Sequence, residues 1–377
     1  MAADYLPYGR QLVSEEDIAA VVEVLRSDWL TTGPKVAAFE KTLVDYVGCQ
    51  YAVAVSSGTA ALHAACYAVG ITAGDEVIVP AITFVATANA VVYCGGTPVF
   101  ADVDPDTLLV DMVDIEAKIS PRTKAIIAVD YAGQPCDYDV LWQLAKVYNL
   151  VLIADASHSL GATYKGRRCG SLADLTAFSF HPVKPLTTAE GGAVCTDNQG
   201  YAERLRRFRN HGISSDHQQR RDWRYEMSDL GFNYRLSDIQ CALGISQLKK
   251  LDKQIARRQS LAATYCHHFT DSKTIHPLQT LSDVDHGYHL FVVKVPADKR
   301  EYIYHQLRRQ NIGANVHYMP VYLHPYYRST FNYQPGLCPC AEQVYEEILS
   351  LPLFPAMTEG DVQRVVRALN GILVSRH

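Results

Sequence analysis

The 377-residue chain lacks several features that would classify it at once. No stretch approaches the roughly 18 apolar residues that a membrane-spanning helix needs, so no membrane role is expected. The N-terminus, MAADYLPYGRQL, has neither a basic region nor an apolar run, so it does not read as a secretory leader. Positive charge is not in surplus: 35 Lys and Arg against 40 Asp and Glu leave a net charge of -5. Without a basic field, nucleic acid and anionic membranes are not expected partners. No G-x-G-x-x-G follows the first strand-like segment and no G-x-x-x-x-G-K-[ST] occurs, which removes the usual support for dinucleotide and Walker-type phosphate sites. The ten cysteines are scattered through mostly apolar segments, which suits reduced thiols better than a disulfide framework. Cys338-Pro-Cys340 is the one close pair, and with no second Cys/His pair at zinc spacing no metal is assigned. Cytoplasm is the expected compartment.

What is present is an alternation of strands and helices. YAVAVS (51–56) reads as a buried strand and TAALHAACYAVG (59–70) as a helix; EVIVP (76–80), a helix near 84–94 and TPVFADV (97–103) continue the pattern. AIIAVDY (125–131), a helix at 137–148, LVLIAD (150–155), LTAFSF (175–180) and GGAVCT (191–196) follow. Short apolar strands separated by helices predict an α/β fold with a mostly parallel sheet covered on both faces, the last strands pairing as an antiparallel edge. Ser237-Asp-Ile-Gln240 is a capping box, predicted to open one long helix to about His268 that leads into a second domain. We therefore expect a large domain over 1–245 and a smaller C-terminal domain over 246–377. In the latter, strands at 288–295 and near 312–318, a helix at 298–311 and a last helix after Thr358-Glu-Gly-Asp361 are predicted.

Three features carry candidate chemistry. Ser56-Ser57-Gly58-Thr59 joins a strand to a helix N-terminus, where free N–H groups and hydroxyls hold a phosphate; the alternative is an ordinary turn capped by Thr59. Asp155 ends an apolar strand, where open α/β sheets place ligands; alternatively it caps a turn. Lys184 lies in SFHPVKPLTTAEGGAV (179–194), between Pro182 and Pro185 and beside Phe180, Val183 and Leu186. Desolvation disfavours its ammonium, which makes it a candidate Schiff-base nucleophile rather than a lysine snorkelling from an edge strand. Ser179 and Thr187/Thr188 are candidate partners for anionic oxygens. An anion nest, a carboxylate and a reactive lysine together match pyridoxal phosphate, and Phe84 is placed to stack on its ring or to pack in the core.

At these residues the chain resembles the DegT/DnrJ/EryC1 family of sugar aminotransferases. The resemblance covers LTTGPKVAAFE (30–40), SSGTAALHAA (56–65), the Asp155/His158 pair, FSFHPVKPLTTAEGGAV (178–194), RNHG (209–212), GFNYRLSDIQCALG (231–244) and the segment at His317-Tyr318. It implies the fold type I architecture of pyridoxal-phosphate transferases, with a mostly parallel sheet and a smaller C-terminal α+β domain. By matching position it implies Lys184 as the covalent anchor and Asp155 as partner of the pyridine nitrogen. His158 would face the ring hydroxyl, although many relatives carry Gln there. Gly58, Thr59 and Ser179 would bind the phosphate, and Phe84 would cover the ring. Asn233 would reach the phosphate of the neighbouring subunit, implying a homodimer with shared active sites. Tyr8, the turn Asp28-Trp29-Leu30-Thr31, and Asn315, Val316, His317 and Tyr318 would line the sugar site. VDYAG (129–133), His158 and HPVKPLTTAEGG most resemble the branch that aminates UDP-linked 4-keto-6-deoxy-N-acetylhexosamines in pseudaminic acid biosynthesis, with L-glutamate as donor. A D-xylo 4-keto sugar or a UDP-4-keto-pentose stays open as acceptor.

Two rivals are weighed. Sugar 3-dehydratases of the same fold replace the lysine by histidine, whereas Lys184 is kept. A regulatory or DNA-binding module would use RLRRFRNH (204–211) and QRRDWR (219–224), but these read equally as a solvated helix face and loop. His286 and His289 are assigned structural or substrate-adjacent places rather than a metal. Arg235 is assigned to a substrate phosphate or to interface packing.

Overall fold

The chain, described here by a computed structural model over residues 4–213 and 223–374, is built on a seven-stranded sheet. In chain order the strands are β1 (Tyr51–Val55), β2 (Glu76–Pro80), β3 (Thr97–Ala101), β4 (Thr123–Val129) and β5 (Val151–Asp155). Two-residue strands β6 (Thr163–Tyr164) and β7 (Arg167–Arg168) pair outside this sheet, and β8 (Leu175–Ser179) and β9 (Gly192–Thr196) complete it. The spatial order is β1-β9-β8-β5-β4-β2-β3. Their apolar runs are buried almost throughout, as a sheet with helices on both faces requires.

The antiparallel element differs from expectation. It is β9, which pairs antiparallel with both β1 and β8 and so lies one strand in from the edge. The physical reason is β1: its backbone takes the outer side of β9, from Tyr51 opposite Thr196 to Val55 opposite Gly192. Two antiparallel pairings in succession leave β1 running with β8, and β8 runs with β5. The carboxyl ends of β1, β5 and β8 therefore meet on one side of the sheet.

The predicted long helix is two helices, Asp238–Leu248 and Leu251–Phe269, broken at Lys249 and Lys250. The break directs Lys250 Nζ onto Asp17, 2.7 Å away, whose fully buried carboxylate also accepts from Gln247 Nε2 at 2.7 Å. A straight helix would leave that carboxylate without its cation, at high cost. The Ser237/Gln240 capping box is formed as expected. Helices at Glu15–Leu25 and Pro34–Val47, absent from the sequence reading, pack on Asp238–Leu248. Asp238 accepts the N–H groups of Gly33 (2.7 Å) and Lys35 (2.9 Å), capping the second of them.

The C-terminal part has its own three-stranded sheet, of His276–Pro277, Phe291–Lys294 and Ile348–Leu351, against helices that include Ala297–Arg309 and Glu359–Val374. Thr358 and Asp361 cap the last helix reciprocally, as the sequence suggested. The expected strand near 312–318 is reduced to two isolated bridges, Ile312 to Leu6 and Asn315 to Ser350. Ile348–Leu351 pairs along its length with Phe291–Lys294, and Asn315 and His317 lie beside it, bonded to the backbone and the hydroxyl of Ser350. Leu6 pairs with Ile312 and belongs to this second apolar core, so the N-terminal segment crosses to the C-terminal part.

Gly244 shows how tightly the layers meet. A Cβ there would lie 2.6 Å from the fully buried Phe39 ring and 3.0 Å from Thr188 in the loop that carries Lys184. Alanine favours a helix interior over glycine by about 1 kcal/mol, yet overpacking costs about 1–3 kcal/mol. Gly244→Ala is therefore expected to lower the melting temperature despite its better helix propensity, and thermal unfolding will check the sign.

Candidate active site

The convergence of β1, β5 and β8 creates a cavity of about 470 Å³. Asp155, the last residue of β5, is 5 % exposed and sits on its floor. Thr87 Oγ1 donates to its Oδ2 at 2.7 Å, and the Ser157 N–H donates to Oδ1 at 3.2 Å. The Thr83 hydroxyl, just before the helix that carries Thr87, stands 2.7 Å from that of Thr87. Neither threonine was singled out from sequence; their spacing of four after β2 was the available signal, and it is indistinguishable from ordinary helix capping.

At the end of β1, Ser57 rather than Thr59 caps the following helix, accepting from the Ala60 N–H at 3.1 Å. The N–H groups of Gly58 and Thr59 donate to no acceptor among the described residues and face the cavity beside Ser179. Any side chain at position 58 would place a Cβ 2.7 Å from that of Ser179, so only glycine permits this approach. A helix N-terminus with free N–H groups and a hydroxyl is an anion cradle.

Lys184 follows β8 in the tight turn that the two prolines shape, its N–H closing onto the His181 carbonyl at 2.9 Å. Phe180 and Leu186 are buried, whereas Val183 is half-buried and lines the cavity. Burial pulls the Lys184 ammonium down to about 8, against the opposing attraction of the Asp155 carboxylate. Thr187 and Thr188 do not serve anionic oxygens: their hydroxyls donate to the carbonyls of Phe180 and Glu190 and close the loop.

The opposite wall holds His158, His289, His317, Tyr8, Phe84 and Tyr318. The Ala132 N–H donates to His158 Nδ1 at 3.2 Å, which leaves Nε2 to carry the proton and face the Tyr318 hydroxyl at 3.3 Å. Burial, then the positive charge of Lys184, drives the His158 pKa far below its ordinary value, so the ring stays neutral. Gly133, at φ +102°, lets this wall form: a Cβ there would lie 2.9 Å from the His289 nitrogen and 3.0 Å from the His158 carbonyl. Phe84 is half exposed, its ring 6.0 Å from that of Tyr318. Asn315 and Val316 complete the wall.

Most of the expected residues thus share one cavity, but not all. Asn233 is exposed and bridges to Asn210 outside it, and Asp28, Trp29, Leu30 and Thr31 lie on an exposed turn bridged to Ser237. Within one chain neither set reaches the site. Arg235 is occupied by Asn210 Oδ1 at 2.8 Å. Arg204 and Arg209 donate to the carbonyls of Tyr67 and Ala54, at 3.0 and 2.7 Å. Most of QRRDWR (219–224) lies outside the described residues. Among the described residues no three His, Cys, Asp or Glu side chains gather as a metal site, and no helix is long and apolar enough to cross a membrane. His286 lies outside the cavity wall, its Nδ1 accepting the Tyr288 N–H at 2.8 Å.

Because free amine rather than ammonium reacts, Lys184 in cofactor-free protein should be acylated with a midpoint near pH 8, against about 10.4 for an exposed lysine. Asp155→Asn should move that midpoint lower, since it removes the charge that holds the proton. Competitive labelling with peptide mass spectrometry reads both.

Comparison with known proteins agrees with this chemistry. The model of the DegT/DnrJ/EryC1/StrS aminotransferase family matches residues 11–370. The chain is 41 % identical over 378 residues to the Bacillus subtilis spore coat polysaccharide biosynthesis protein SpsC, covering 98 % of this chain and 97 % of that one. Among solved structures it is similar to Helicobacter pylori PseC, an aminotransferase involved in the biosynthesis of pseudoaminic acid (TM-score 0.93, 34 % identity, 98 % and 99 % coverage). It is likewise similar to the pyridoxal-phosphate form of a putative sugar aminotransferase, Spr1654, of Streptococcus pneumoniae (TM-score 0.92, 32 % identity, 98 % of each chain). The glycine-only cradle, the carboxylate and the depressed lysine fit pyridoxal phosphate, and the chain belongs to the DegT/DnrJ/EryC1/StrS family of pyridoxal-phosphate-dependent aminotransferases.

Proposed function

We propose that this aminotransferase moves the amino group of L-glutamate to C4 of a UDP-linked 4-keto-6-deoxy-N-acetylhexosamine, giving UDP-4-amino-4,6-dideoxy-N-acetyl-β-L-altrosamine in the cytoplasm. The observation that carries the reading is the shared cavity: Lys184, Asp155 and the Gly58 cradle face a wall of Tyr8, Asn315, His317 and Tyr318, whose polar groups suit a sugar. Similarity to PseC supports the acceptor class, and ten free cysteines suit a reducing compartment.

When bound, pyridoxal phosphate supplies an electron sink that lets a proton leave the carbon next to nitrogen. Gly58, Thr59 and Ser179 would hold its phosphate, Asp155 its pyridine nitrogen, His158 its ring hydroxyl and Phe84 its face. Lys184 would hold it covalently at rest. Displaced by the donor's amine, Lys184 Nζ becomes the base that takes the proton from glutamate Cα. A pKa near 8 suits that task, because the group both accepts and returns a proton near neutrality. Thr87 and the Ser157 N–H keep the Asp155 carboxylate aimed throughout. In the second half-reaction the same Nζ delivers a proton at the sugar's C4.

Protein reconstituted with pyridoxal phosphate should absorb in the visible and lose that band on addition of L-glutamate. Borohydride should fix the cofactor's mass on the peptide containing Lys184, and Lys184→Ala should abolish both signals. Offered the 4-keto epimers derived from UDP-GlcNAc, the enzyme should yield the altro product by NMR. Amination of the D-xylo epimer alone would refute the acceptor while leaving the aminotransferase intact.

We further propose a homodimer in which Asn233 and the Asp28–Thr31 turn complete the partner's site. Their exposure beside Trp29, Leu30 and Phe232, all large and more than a third exposed, favours burial against a second copy. Asn233→Ala and Lys184→Ala, each impaired alone, should recover activity when mixed and reassembled, since each hybrid contains one site with both wild-type residues. No recovery, with hybrids present by native mass spectrometry, would exclude the shared site.

A further inference from the structure

Four imidazoles line the cavity of Lys184; His181 is exposed, and of the three buried ones two are committed within the protein. His317 Nδ1 lies 2.8 Å from the Ser350 hydroxyl, and its Nε2 faces the Asn315 amide at 3.2 Å. His158 is held between the Ala132 N–H and the Tyr318 hydroxyl. His289 differs. It is 5 % exposed and lines the same cavity, yet its Nδ1 is buried with no hydrogen-bond partner, and no described residue bonds its other nitrogen. Nδ1 is closed off from the cavity, so Nε2 is the nitrogen left open for a ligand.

The backbone that carries the ring is also held in place. Arg258, a fully buried guanidinium, donates through Nη1 to the carbonyls of Tyr288 and His289, each at 3.3 Å, and of Leu353 at 2.9 Å. The His289 ring rests 4.5 Å from that of His158. Such positioning, without an internal partner, marks a group kept for a ligand.

Charge selects the ligand. Burial first, then the neighbouring Lys184, keep His289 from protonating, so it offers no cation to the carboxylates of glutamate. The Nε2 of a neutral imidazole makes one hydrogen bond, and a hydroxyl can meet it as either donor or acceptor. We propose that His289 is a specificity-determining residue for the acceptor half of the reaction, exchanging a hydrogen bond with a hydroxyl of the hexose. This rests on the sugar-acceptor reading above.

The test separates the half-reactions in holoenzyme, using His289→Phe, which keeps a ring of similar size, and His289→Asn, which restores a polar donor. Stopped-flow absorbance with L-glutamate should be within about 2-fold of wild type for both, with an unchanged visible spectrum. The half-reaction with the UDP-linked 4-keto sugar should fall about 10- to 100-fold in His289→Phe and recover in part in His289→Asn. Equal slowing of both halves, loss of cofactor from either variant, or no effect on the sugar half would overturn the proposal. If wild type accepts neither keto epimer, the sugar reading itself fails. Titration with UDP-GlcNAc then decides: weaker binding to His289→Phe, with glutamate unaffected, supports the residue's role, and equal binding overturns it.

Discussion

Everything at this site depends on holding one amine where its proton is loosely kept. Left in an apolar turn alone, the Lys184 ammonium would be expelled or would lose its proton outright; paired closely with a carboxylate, it would keep the proton and not react. The protein sets it between these limits. Burial strips water from it, and Asp155 opposes this from the end of the adjacent strand, leaving a pKa of about 8. Depressing a lysine by desolvation and correcting it with an anion is a general route to a reactive amine near neutrality.

That balance requires its neighbours to stay uncharged. His158, His289 and His317 all lie near Lys184, and burial together with its charge pushes each of them far below the ordinary range, His317 to about 3. Burial also pushes the Tyr318 phenol above its usual 10, the nearby Asp155 adding to the effect. The imidazoles and phenols of the wall therefore stay neutral, each both donor and acceptor. They can recognise hydroxyl-rich ligands without disturbing the proton on Lys184.

Much of this was legible along the chain. The apolar strands, the capping box at Ser237, the proline-flanked lysine and the carboxylate ending LVLIAD all carry local signals, because each depends on residues within one element. Other features depend on elements distant in sequence. Nothing near Lys249 announces a helix break, since its cause is the buried Asp17 more than 230 residues earlier. Thr87 reads as an ordinary helix residue until Asp155 is brought 2.7 Å from it. The strand expected near 312–318 reads as apolar and extended, but its side chains serve the cavity and Ile348–Leu351 holds the sheet.

By itself, the sequence determined the chemical parts: a lysine that cannot lie on a helix surface, a carboxylate at a strand end and a glycine at a helix start. These follow from local rules of backbone geometry and burial, which need no knowledge of neighbours. Only the tertiary structure decided that the parts face one another. Their meeting depends on β9 inverting between β1 and β8, so that three carboxyl ends open on the same side of the sheet. It also decided which buried imidazole remains uncommitted, because hydrogen bonding is exclusive and Ala132, Tyr318 and Ser350, which engage His158 and His317, come from segments that only folding brings together.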